Sequence, residues 1–381
     1  MIIAVPRETA DGEQRVALVP SAAAALIKQK HEIRVEKGAG LPSGFTDAEY
    51  TEAGATIVED RGSLINNAEV IAQVRTAGAS NHGTDDLGSM KPGQTVIGFC
   101  EPLIAADPIK AFAEKGITLL SMELIPRITR AQAMDALSSQ ANLAGYKAVI
   151  RACDLLSKIY PMMITAAGTI KPAKVFIVGA GVAGLQAIAT AKRLGAAVSA
   201  IDVRPEVKEQ VESLGARFVM PPVQASGEGG YAKELTPEQK AEQQKMMADT
   251  VADSDVVITT ALIPGRPAPK LVTTAMVESM RPGSVIVDLA AERGGNCEST
   301  EPGKTIEKNG VTIVGSLNGP SEVAHDASTM YAGNVVKLLQ HLVGKGNTTI
   351  QWNMEDEITK GIVVCKDGQV LHARVKQTLG L

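Results

Sequence analysis

Short apolar runs separated by helical or polar stretches recur along this chain in two sets. The first reads as strands at Ile2–Pro6, Glu32–Glu36, Ala68–Val74, Thr95–Phe99 and Ile117–Ser121, with a helix at Ser21–Lys30. The second begins at Ala173 and continues with Ala197–Asp202, Asp255–Thr260, Ser284–Leu289 and Thr312–Gly315. Strands alternating with helices predict parallel sheets. The expected class is α/β, with two Rossmann-like doubly wound domains flanking a cleft and joined by long helices. Ligands of such folds sit at the carboxyl ends of the strands.

From about Ser321 the pattern is helical through Tyr331–Leu342, then hairpin-like over Gly361–Leu371, with Asp367-Gly368 as the turn signal. This stretch is too short to form a domain alone. The predicted division is therefore residues 1–135 completed by 321–381, and residues 136–320.

The connector from Thr129 to about Leu156 is rich in small residues, among them Ala136, Ser139, Ala141, Ala144 and Gly145. Small side chains let another backbone pass close by, so one long helix between the domains is expected. Thr129 and Gln132 have capping-box spacing. Gln132, Asp135, Ser139 and Asn142 would then share a face, and a merely solvated polar stripe is an equal reading. Between Met220 and about Asp249 lies a polar segment containing Ser226–Glu234, then a charged helical stretch; taken alone, it reads as a surface loop.

Composition narrows the function. The 381 residues carry a net charge of −4 and only 3% aromatics, which gives neither a basic footprint nor stacking platforms for nucleic acid. Val175–Ala191 is uncharged but falls short of the ~20 residues that cross a bilayer and holds a glycine turn. Cys100, Cys153, Cys297 and Cys365 match no zinc spacing and the five histidines form no ligand pair, so no metal site is expected. Without a signal peptide at Met1–Arg7, the cysteines read as reduced thiols of a cytoplasmic protein.

The strongest chemical signal is Lys174–Gly184, an apolar strand, a glycine turn and the start of a helix. Gly179, Gly181 and Gly184 fit G-x-G-x-x-G: one glycine for the tight turn, one for approach to a pyrophosphate, one for helix–strand packing. The hexapeptide alone is weak in an Ala/Gly-rich chain. Its context strengthens it, because the next strand ends at Asp202, near the ~20-residue offset of a ribose 2′-hydroxyl ligand. A glycine turn that binds nothing is the plainer but weaker reading.

Several stretches together resemble one family over essentially the whole chain. They are Pro6-Arg-Glu8, Arg15–Leu18, Met122–Arg127, Arg130–Gln132 with Met134-Asp135, Leu137–Gly145, Thr165–Gly168, Gly179–Gly184, Gly229–Lys233, Thr259–Gly265 and Gly294–Cys297. The chain resembles the NAD(H)-binding components of proton-translocating nicotinamide nucleotide transhydrogenases, relatives of alanine dehydrogenase. The resemblance implies a homodimeric, cytoplasmic subunit held peripherally at the inner membrane through its partners. Hydride would pass from NADH here to NADP⁺ on a partner component, and a membrane component would couple the transfer to proton movement. By the same resemblance Val182, Ala183 and Gly184 face the pyrophosphate, while Asp202, Val203 and Arg204 meet the adenosine ribose. Arg127, Gln132, Asp135 and Ser138 match the loop that orients the nicotinamide. Gly230 and Tyr231 match a mobile loop, around 222–240, that closes over nucleotide. Gln243 and Leu262 match two further contacts.

Arg204 could accept the 2′-phosphate of NADP, but a carboxylate at Asp202 opposes that phosphate, so NAD(H) is expected. Amino-acid oxidation needs a general base and a cation for the substrate carboxylate. Arg15 could serve as the cation. The positions matching the dehydrogenases' catalytic Lys and His are Arg75 and Glu101, and an arginine stays charged near neutral pH. Hydride transfer between two nicotinamides needs no such pair. An alanine dehydrogenase-like oxidoreductase and an NADH-sensing module are the alternatives.

Overall fold

A computed structural model describes residues 1–220, 236–263 and 265–380, with the backbone alone at 237, 239 and 240. Gly230, Tyr231 and the 222–235 stretch of the expected loop lie outside these residues. The chain divides into two compact units, Met1–Gln140 with Pro320–Leu381, and Ala141–Gly319.

Unit 1 opens with β1 (Ile2–Val5), β2 (Glu32–Glu36), β3 (Thr56–Val58), β4 (Val70–Arg75), β5 (Thr95–Phe99) and β6 (Thr118–Ser121). Unit 2 holds β7 (Met163–Thr165), β8 (Gly168–Ile170), β9 (Lys174–Val178), β10 (Ala197–Ile201), β11 (Arg217–Phe218), β12 (Val256–Thr259), β13 (Val285–Asp288), β14 (Thr305–Lys308) and β15 (Val311–Gly315). The chain then returns to unit 1 with β16 (Val363–Lys366) and β17 (Gln369–Val370).

The unit 1 sheet runs β17-β16-β6-β5-β4-β1-β2-β3, and the main sheet of unit 2 runs β11-β10-β9-β12-β13-β15-β14. Both contain the doubly wound order in which the first strand lies beside the second and fourth. Residue parity explains the unbroken apolar runs. Ile3 and Val5 enter one core layer of unit 1 and Ala4 the other, while Val175 and Ile177 are separated in the same way from Phe176 and Val178 in unit 2. The central parallel strands are buried on both faces, so both parities are apolar there, whereas the edge strand β3 has no buried residue.

The parallel sheets carry antiparallel strands at one side: β14 pairs antiparallel with β15, and β16 with β6 and β17. Two expectations need correction. The helix of the connector spans Ala136–Leu155, not Thr129 onward; Thr129–Met134 is a 3₁₀ turn whose preceding residue, Ile128, makes no side-chain cap. Asp135 takes the capping role instead, accepting hydrogen bonds from Ser138 N–H (2.9 Å) and Ser138 Oγ–H (2.6 Å). Gln132 and Asp135 therefore share no helical face with Ser139 and Asn142. The C-terminal hairpin is shorter than its pattern, because Glu357–Ile362 is helical; Asp367 (φ 50°) and Gly368 (φ 80°) make its turn. β7 and β8 form a separate, fully exposed hairpin around Thr165–Gly168.

Candidate functional site

The glycine turn of unit 2 sits where β9 meets the helix Val182–Arg193. Gly179 has φ 98°, a left-handed conformation that costs glycine nothing, and its N–H donates to Ile201 O (2.9 Å). A Cβ on Gly184 would overlap the Gly179 carbonyl oxygen, so the helix can approach the strand this closely only without a side chain there. A second contact of this kind holds the helix from outside: a Cβ on Gly145 would overlap the Ala183 carbonyl. Gly181 caps the helix without a side-chain ligand, and a Cβ built there comes no nearer to another atom than 3.9 Å, to Arg204. The first helical N–H groups thus lack a side-chain cap, an arrangement suited to a bound anion.

Asp202 follows β10 and is 8% exposed. Its Oδ2 accepts Ala180 N–H (2.8 Å) and Arg204 Nη2 (3.0 Å), and its Oδ1 accepts Arg204 N–H and Nε, both at 2.9 Å. Burial alone would raise this carboxyl; the hydrogen bonds from Arg204 and Ala180 outweigh it and hold the group below its ordinary value. Val182 and Val203 are exposed, as is Leu262, in the loop after β12. Gln243 is half-buried on the helix Pro237–Ala252. Asp202 and Arg204 meet at the glycine turn, whereas Gln243 and Leu262 sit on other elements.

In unit 1, Arg127 and Gln132 are exposed, whereas Asp135 and Ser138 are half-buried and joined to each other. The segment is pinned by buried Ala131 and Met134, by Asn334 Nδ2 donating to Ala133 O (2.9 Å), and by Arg130 reaching Asp356 Oδ1 (2.6 Å). Asp356 also accepts His341 Nε2 (2.8 Å) and Thr359 N–H (2.8 Å). Asn334 and Asp356 lie about two hundred residues from the loop they hold, and no local pattern marks either.

The carboxyl ends of the unit 1 strands carry a charge cluster in which Glu13 and Arg15 are buried and Glu8, Arg75 and Glu123 half-buried. Arg15 forks onto Glu13 (Nε–Oε1 2.7 Å, Nη2–Oε2 2.6 Å) and donates to Gln140 Oε1 (2.7 Å), while Arg75 Nε lies 3.3 Å from Glu13 Oε2. Glu8 accepts Val74 N–H (2.7 Å) and Arg75 N–H (3.0 Å); burial, then the charge of Glu13, pushes it up to about 8. Glu123 accepts the N–H groups of Cys100 (2.8 Å) and Glu101 (2.7 Å) and the Ser121 hydroxyl (2.6 Å). Burial pushes Glu123 up to about 7. Both acids saturate backbone donors at strand ends, a use their types and spacing did not reveal.

The alanine dehydrogenase/PNT N-terminal domain matches residues 4–144, and the alanine dehydrogenase/PNT C-terminal domain matches residues 148–373. The chain belongs to the alanine dehydrogenase/PNT family. Within that family it is an enzyme subunit of the NAD(P) transhydrogenase branch. It is 46% identical over 376 residues to the first segment of the divided NAD(P) transhydrogenase subunit alpha of Rhodospirillum rubrum, covering 98% of each chain. The crystal structure of transhydrogenase from Sinorhizobium meliloti matches with a TM-score of 0.86 at 47% identity, covering 97% of this chain and 100% of that one. Alanine dehydrogenase from Halomonas elongata is 29% identical, covering 100% of this chain and 97% of its own, and is the more distant relative. Among the described residues, no helix is long and apolar enough to cross a membrane.

Proposed function

We propose that this chain is the NAD(H)-binding subunit of a proton-translocating transhydrogenase, giving hydride from NADH to NADP⁺ held by a partner component. The pyrophosphate lies at the N-terminus of the helix Val182–Arg193, and Asp202 meets the adenosine ribose with Val203 and Arg204. Arg127, Gln132, Asp135 and Ser138 orient the nicotinamide. Leu262, Gln243 and the loop bearing Gly230 and Tyr231 complete the nucleotide contacts. A membrane component couples the transfer to proton movement, and the chain lies peripherally on the cytoplasmic face. It works as a homodimer; the exposed β7–β8 hairpin, with Ile164 at 72% exposure, offers apolar surface for a second copy.

The observation that carries this reading over amino-acid oxidation is the arginine pair on Glu13. Arg75 stands where the dehydrogenases place a titratable lysine, and a guanidinium cannot act as a base near neutral pH. Arg15 spends its fork on Glu13, whose side chain is fully buried. Nicotinamide-to-nicotinamide transfer asks only that donor and acceptor carbons be held close and dry.

The test mixes the chain with an NADP(H)-binding partner and follows reduction of a nicotinamide analogue, with alanine and NAD⁺ as a parallel assay. Transfer without pyruvate formation is expected. Robust pyruvate formation would instead establish the alanine dehydrogenase reading, and NADH binding without transfer the sensor. Gln132→Ala and Asp135→Asn should each slow transfer more than they weaken NADH binding; equal losses would make them nucleotide ligands only.

A further inference from the structure

The peptide unit between Gly179 and Ala180 is gripped at both ends. Its N–H donates to Asp202 Oδ2 (2.8 Å). Its carbonyl accepts the Thr260 hydroxyl (3.0 Å), from the loop that follows β12. Thr260 is itself anchored, because its N–H donates to Val178 O (2.9 Å). The next residue is held by a side chain that mimics a backbone partner. Asn296 Oδ1 accepts Ala261 N–H (2.9 Å), and Asn296 Nδ2 donates to Ala261 O (2.9 Å) and Pro269 O (2.9 Å). Asn296 is 0% exposed, and these three bonds engage both ends of its amide. A buried amide satisfied in this way has one orientation, since flipping it would set donor against donor and acceptor against acceptor.

We infer that Thr260 and Asn296 are positioning residues for the dinucleotide: through the Gly179–Ala180 peptide they fix the turn that aims the helix N–H groups at the pyrophosphate. The inference rests on the proposed NAD(H) site. The fit is tight, since a Cβ at Gly179 would fall 2.6 Å from Thr260 Oγ1. Rotation of that peptide would swing the following amides of Gly181 and Val182 away from the anion. The hydroxyl of Thr260 therefore acts on the diphosphate without touching it.

The experiment titrates wild type, Thr260→Val, Thr260→Ser and Asn296→Ala with NADH, ADP-ribose and adenosine, following fluorescence or ligand-observed NMR. Valine keeps the shape and removes the donor, while serine restores it. Thr260→Val should bind NADH and ADP-ribose roughly fivefold to tenfold more weakly, the scale of one net hydrogen bond, with adenosine unchanged. Thr260→Ser should stay near wild type, and Asn296→Ala should repeat the diphosphate-selective loss. Unchanged NADH binding by Thr260→Val overturns the inference, as does a parallel loss for adenosine, which marks a role in stability alone. Should Asn296→Ala fail to fold, the two Thr260 variants decide. Failure of the wild type to bind NADH would instead overturn the nucleotide reading.

Discussion

β1 and β9 hold equivalent places in their sheets, each beside a strand that leads into an acid. Glu36 ends β2 and accepts Arg7 N–H (2.8 Å) from the turn after β1; Asp202 follows β10 and accepts Ala180 N–H (2.8 Å) from the turn after β9. Each acid is also gripped by an arginine, Glu36 by Arg61 (2.6 Å) and Asp202 by Arg204 (2.9 Å). The turns differ. After β9 the chain bends at Gly179 and enters a helix at Val182, whereas after β1 it passes through Pro6 and the next helix starts only at Pro20. An acid at the end of the second strand is thus a brace in both units, and only at Asp202 is it also proposed to meet a ribose. What separates a nucleotide site from a braced sheet is the glycine turn, which leaves helix amides uncapped where the acid has already been used.

The harshest way to break that distinction is to close the turn. Gly184→Val would put side-chain carbon onto the Gly179 carbonyl, so strand and helix must part. NADH affinity should fall by more than ~100-fold, the result of losing the anion site and its packing together. NADH fluorescence titration, with circular dichroism as a check on folding, measures it. A folded variant that binds NADH normally would place the dinucleotide elsewhere.

The strands were legible because both parities of a doubly buried strand are apolar, and the glycine turn because its φ angle admits few other residues. The edges were not. Thr305–Lys308 (β14) is only partly buried and mixes Thr, Glu and Lys, so its antiparallel pairing leaves little periodic trace. The capping box at Thr129–Gln132 failed because Ala131 and Met134, three apart, enter the core on a 3₁₀ turn and Asp135 takes the cap. Asn296 stands within the Gly294–Cys297 motif, yet its partners are backbone groups of Ala261 and Pro269, which no residue type at those positions advertises. Asn334 and Asp356 were hidden for the same reason.

A gentler perturbation tests whether the sealed strand ends of unit 1 are bracing alone. Burial raises Glu123 from 4.5 to about 7, so the folded chain holds its proton more tightly than the unfolded chain. Stability should therefore fall as pH rises from 4.5 towards 7, by at most about 3 kcal/mol from this group. Glu8, raised to about 8, contributes with the same sign over a wider range. Glu123→Gln copies the protonated form. In urea denaturation it should gain on wild type as pH rises from 4.5 to about 7, leaving the slope from Glu8. A gap independent of pH would mean that Glu123 does not take up this proton.

The finest test sets the two braced acids against each other. Asp202→Asn keeps an acceptor for Ala180 N–H but loses the charge that holds Arg204. It should weaken NADH about tenfold, or ~1.4 kcal/mol, and narrow the preference over NADPH, since the freed guanidinium no longer competes with a carboxylate for a 2′-phosphate. Glu36→Gln makes the equivalent change in unit 1, where Arg61 also pairs with Asp86 (2.6 Å). It should cost unit 1 about 1–2 kcal/mol of stability and leave the NADH affinity unchanged. Isothermal titration with both dinucleotides, beside denaturation of each variant, separates the outcomes. If Glu36→Gln weakened NADH as much as Asp202→Asn does, affinity would be following general stability, and the acid at Asp202 would be no more a ligand than its counterpart.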